Sequence, residues 1–73
     1  MLPPDKEAAF HLRLIDAEWL AVKGKAADGL TSLQAGAVRA EEARTAGEPW
    51  GEELLSWYQV AVEWFARRHR VRA

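Results

Sequence analysis

Trp50, Trp57 and Trp64 recur every seven residues, and Leu54 and Ala61 fall between them at four-then-three spacing. That is the period of a helix core stripe. Glu52, Ser56, Gln59, Glu63, Arg67 and Arg70 lie opposite, so residues 49–69 read as an amphipathic helix. Its apolar face holds Trp50, Leu54, Trp57, Tyr58, Ala61, Trp64 and Phe65, flanked by Val60. Pro49 is pre-set for a first helical turn, and Glu48, Glu52 and Glu53 suit the positive end of the dipole. A face this bulky has to be covered by the rest of the chain.

Two breaks divide the upstream part. Lys23-Gly24-Lys25 places a glycine where a left-handed helix stop needs one, and Gly47-Glu48-Pro49 is the second break, before the tryptophan helix. The first helix is expected over about 6–23, after a short lead with Asp5 as N-cap. It carries two apolar lines. Ala8, Leu12, Ile15, Trp19 and Val22 form one, and Phe10, Leu14, Ala17 and Ala21 form the second. A helix with two such lines is packed by two neighbours or by a second subunit. Arg13 and Asp16, three apart, read as a surface ion pair.

The second helix has two competing starts. Thr31-Ser32-Leu33-Gln34 has the form of a capping box. The continuous line Ala26, Gly29, Leu30, Leu33, Gly36, Ala37, Ala40 and Ala43 favours the earlier start, giving a helix over about 26–46. That line is almost entirely glycine and alanine. A glycine inside a helix costs about 1 kcal/mol against alanine, so two of them on the buried face imply something bulky packed close. The tryptophan row is the expected occupant, large side chains filling the space that small ones leave. Short connections make the three helices antiparallel neighbours. The expected fold is all-α, one domain over residues 1–73, an antiparallel three-helix bundle.

At 73 residues with no cysteine, the core is small and neither a disulfide nor a thiolate zinc site reinforces it. Helix packing, aromatic burial and self-association are the remaining sources of stability. No apolar run approaches the ~18 residues of a membrane span, and Met1 to Asp5 lacks the regions of a signal peptide. No membrane association is expected, and the expected location is cytoplasmic. The net charge of −1 hides an asymmetry: residues 1–66 carry six basic and eleven acidic side chains, residues 67–73 four arginines.

Candidate chemistry is sparse. His11 and His69 lie on different helices, and no His-x3-His or Glu-x-x-His spacing exists for a metal. Ser32 and Ser56 lack a glycine elbow. Gly24-Lys25-Ala26-Ala27-Asp28-Gly29 follows a helix rather than a strand, so it is no phosphate loop. No catalytic residue, metal or cofactor is expected. The candidate partner-binding residues are Phe10 and Leu14 on the second line of the first helix, Trp19 as an anchor for a dimer, and Arg67, Arg68, Arg70 and Arg72 at the basic end. The arginines cap a helix C-terminus by the same rule that puts acids at its N-terminus. They also offer forks suited to phosphates, although an acidic body opposes broad contact with nucleic acid.

The first two helices resemble a tetratricopeptide unit. Ala17, Leu20, Gly29, Leu33 and Gly36 stand at that family's alternating small and large positions, and Trp57-x-x-Val60-Ala61-x-x-Trp64 is similar to the opening of such a repeat. Arg13, Asp16 and Glu41 depart from the pattern, and the two units would be 44 residues apart rather than ~34. The resemblance implies a helical hairpin plus a C-terminal helix, a scaffold for protein or peptide binding with no catalytic residues. The expected function is a non-enzymatic protein–protein interaction module that self-associates through the second line of the first helix. The alternative is a nucleic-acid-associated accessory protein working through its arginines.

Overall fold

A computed structural model describes residues 1–72 and forms them into three helices: α1 (Pro4–Val22), α2 (Ala26–Thr45) and α3 (Gly51–His69). Each stops in the same way. A residue just past the end turns left-handed, and the next amide reaches back to a carbonyl five residues earlier. Gly24 (φ 79°) and Gly47 (φ 86°) serve α1 and α2, with Lys25 N to Leu20 O at 2.7 Å and Glu48 N to Ala43 O at 3.0 Å. In α3 the left-handed residue is Arg70 (φ 54°), and Val71 N donates to Ala66 O at 2.9 Å.

No helix uses a side-chain N-cap. Asp5, expected as the cap of α1, lies inside its first turn. Pro4 takes the first helical position, where its missing N–H costs nothing, and Lys6 and Glu7 donate to Pro3 O at 3.0 Å. α2 begins at Ala26, and the Thr31 hydroxyl bonds back to Ala27 O at 3.0 Å instead of capping. Near the other end of α2, Arg44 Nε donates to Glu41 Oε2 at 3.0 Å. That hydrogen bond holds the Glu41 carboxyl below, and the Arg44 guanidinium above, their ordinary pKa values.

The bundle is an all-α arrangement with α2 as its centre. α1 and α3 both pack on α2 and only lightly on each other. They run parallel, since Phe10 meets Trp57 and Tyr58 while Glu18, two turns later, meets His69. The core consists of Leu2, Phe10, Ala17, Leu30, Leu33, Ala40, Leu54, Tyr58, Ala61 and Phe65. None of the three helices is long and apolar enough to cross a membrane.

Large-on-small packing exists, but not with the tryptophans. The side chains against the α2 glycines are Tyr58 and Phe65. A methyl added at Gly36 would lie 2.6 Å from Tyr58 Cζ, and one at Gly29 would lie 2.7 Å from both Phe65 Cζ and the Ala17 carbonyl oxygen. The tryptophan row is one residue out of phase, a rotation of about 100° around α3. The close approach of α2 leaves a slot that suits a single six-membered ring. An indole is wider and has an N–H that needs a partner. Trp50 and Trp57 therefore sit half-buried on the flank, with the Lys6 ammonium 4.5 Å over Trp50 and Trp57 edge-on to Phe10 at 5.3 Å.

The Arg13–Asp16 pair is also corrected. Arg13 Nη1 reaches across to Ser32 O on α2 at 3.0 Å, while Asp16 is exposed. The carbonyl lies on the packed side of α1, where the stem of Arg13 covers Gly36.

Candidate partner-docking surface

Packing on α2 decides which line of α1 is free. The carbonyl oxygen of Ala17 lies so close to Gly29 that only small side chains fit between these helices. The line containing Ala17 and Ala21 therefore turns inward and takes Phe10 with it. Phe10, expected on the docking surface, is a core residue with 6% of its surface exposed. Leu14, from the same line, is half-buried at the seam between α1 and α3. The bulkier line is left outside: Leu12 is 63%, Ile15 51%, Trp19 59% and Val22 75% exposed. Trp19, expected as an anchor, thus belongs to an open ridge with three aliphatic neighbours.

Beside the ridge runs a furrow between α1 and α3. One part, about 420 Å³, is lined by Phe10, Leu14, Ser56, Trp57, Val60, Ala61 and Trp64. A second part, about 370 Å³, continues along Ile15, Trp19 and Val22 and shares Leu14 and Trp64 with the first. The polar side chains lining the two are Ser56 and Glu18. Ridge and furrow make one continuous apolar face. Leu12, Ile15, Trp19, Val22, Val60 and Trp64 together expose on the order of 600 Å², at the top of the range for a monomer's largest patch.

The arginines close one end of this face, and two of them are engaged. Arg67 Nη2 donates to Glu63 Oε1 at 2.6 Å. The Arg68 guanidinium lies 5.3 Å over the Trp64 ring, with Nε 3.8 Å from Glu18 Oε2. His69 Nε2 donates to the other oxygen of Glu18 at 3.0 Å, tying the C-terminal ends of α1 and α3 together. Arg70 is held by its left-handed backbone, Arg72 is exposed, and neither makes an ion pair among the described residues. The four side chains therefore do not act as one cluster.

Among the described residues no group of three or more His, Asp or Glu side chains converges as a metal site would require. The sequence reading missed Leu12, Ile15, Val22, Val60 and Trp64 as surface residues. The usable signal was size: of the two lines on α1, only the one with two alanines fits a helix whose facing stripe carries Gly29. Comparison with known proteins gives no further guide, because no family model, no curated protein and no solved structure shows a significant match to this chain.

Proposed function

We propose that the protein is a non-enzymatic interaction module that associates with itself through the apolar face of α1 and α3. The observation behind this reading is the line Leu12, Ile15, Trp19 and Val22, exposed on a well-formed helix and continuous with Trp64 and Val60. A patch at the top of the monomer range, on so small a chain, supports a contact surface. The surface total points the same way. A compact monomer of 8.2 kDa exposes about 4,500 Å², whereas the described residues expose 5046 Å².

Sedimentation at micromolar protein tests the reading, with Trp19→Ser as the comparison. The native chain should sediment at twice its monomer mass and the variant at the monomer mass. A native chain that remains monomeric up to millimolar concentration would refute self-association. The polyanion alternative is weaker because Arg67 and Arg68 are occupied within the chain. Salt-sensitive binding of mixed oligonucleotides, lost when Arg67, Arg68, Arg70 and Arg72 are all changed to alanine, would restore it.

A further inference from the structure

We infer that the second copy docks head to tail across a two-fold axis, with the basic end of each chain against the acidic end of the other. The inference rests on the self-association proposed above and adds its geometry.

The first ground is shape. A two-fold interface presents the same patch on both sides, so the patch must complement itself. This face carries a ridge (Leu12, Ile15, Trp19, Val22) directly beside a furrow (Leu14, Trp57, Val60, Trp64). A two-fold rotation seats each ridge over the other chain's furrow. With roughly 600 Å² from each copy, the total reaches the ~1,200 Å² at the lower end of specific interfaces.

The second ground is charge, and it selects the orientation. Because α1 and α3 are parallel, both N-termini lie at one end of the face and both C-termini at the other. Asp5 and Glu7 lie in the first turn of α1, and Glu52 and Glu53 in that of α3. Lys23 and Lys25 follow α1, and Arg67, Arg68, Arg70 and Arg72 end α3. The placement that suits each helix dipole thus makes the N-terminal end acidic, partly offset by Lys6 beside Asp5 and the Met1 amino group on Glu53, and makes the C-terminal end basic. A parallel pair would set like ends together. A head-to-tail pair sets Lys25, Arg70 and Arg72 towards the partner's Asp5 and Glu7, and it opposes the helix dipoles favourably.

The third ground is the spacing of the ridge. Its four residues are symmetric about position 17. A head-to-tail turn centred there brings Leu12 level with the partner's Val22 along the helix axis, and Ile15 level with the partner's Trp19, with the two ridges side by side, each beside the other chain's furrow. In that arrangement two copies of Leu12 stand about 15 Å apart along the axis, ten residues at ~1.5 Å each.

The chain has no cysteine, so single cysteines report on this directly. Leu12→Cys and Val22→Cys replace exposed side chains and leave the core intact. The two variants, alone and mixed, would be treated with a thiol cross-linker too short to span 15 Å. The expected result is little cross-linked dimer from either variant alone and at least a tenfold gain in the mixture. The native dimer should also weaken several-fold between low and high salt. Efficient linking of either variant to itself, or a dimer that sediments as such but links in neither case, overturns the head-to-tail geometry and leaves self-association standing. A dimer indifferent to salt overturns the charge pairing. A native chain that sediments as a monomer overturns both.

Discussion

Replacing Gly36 by alanine sets two known effects against each other. In an exposed helix the change stabilises by about 1 kcal/mol, because alanine is the better helix former. Here the new methyl would lie 2.6 Å from Tyr58 Cζ and 2.9 Å from Arg13 Cδ. The Arg13 side chain can swing aside, at the cost of its bond to Ser32 O. Tyr58 has no such freedom: it is buried, and its ring stands edge-on to Phe10 at 4.8 Å. Overpacking of this kind costs about 1–3 kcal/mol and outweighs the propensity gain. The expected net loss is ~1 kcal/mol or somewhat more, a fall in Tm of roughly 4–8 °C per kcal/mol for a chain of this size. Urea unfolding followed by circular dichroism measures it. Tyr58→Val should relieve the crowding, so the alanine should cost less in that background than in the native one. A Gly36→Ala protein more stable than the native one by about 1 kcal/mol would show that no ring lies against that glycine, and the packing of α3 on α2 described above would be wrong.

Gly29→Ala should cost more than Gly36→Ala, since one of the atoms met at 2.7 Å is a backbone oxygen of Ala17, which cannot rotate away; the same unfolding measurement ranks them. Arg70→Gly should stabilise by about 1 kcal/mol, because a left-handed residue with a Cβ carries about that strain, and a variant less stable than native would place an interaction on the Arg70 side chain. Glu41 should titrate at lower pH than an unpaired glutamate, read by carboxyl carbon NMR, and Arg44→Ala should return it to the ordinary range. Its folded pKa is lowered, so the pairing stabilises the fold above the unfolded glutamate pKa and is lost as pH falls through the folded value.

The helix ends and the small face of α2 were legible because each depends on local chemistry. Gly24 and Gly47 mark stops that few other residues make well, and Gly29 and Gly36 mark a close approach wherever the neighbour comes from. The rotation of α3 was not legible. Trp57-Tyr58 and Trp64-Phe65 are adjacent aromatic pairs, so two stripes one residue apart satisfy the same period, and burial of the larger rings is the natural first reading. What decides is the width of the slot over Gly36, which exists only once α1 and α2 have packed. The docking face was hidden for the same reason. Two lines on α1 were evident, but the second, expected to be the free one, is the one that packs, because Ala17 lies against Gly29 and leaves the bulkier first line outside. Leu2 is buried as well, although it precedes the first helix and belongs to no periodic pattern.

The four tryptophans offer the most direct measurement, because each indole N–H gives its own NMR resonance and they sit in different places. Trp19 and Trp64 lie on the proposed contact face, while Trp50 sits at the other end of the furrow's helix under the Lys6 ammonium. Over a dilution series from millimolar to micromolar protein, the Trp19 and Trp64 resonances should move together and follow the sedimentation mass, while that of Trp50 stays in place. Four stationary resonances, or movement of Trp50 alone, would contradict an α1–α3 face that binds a second copy.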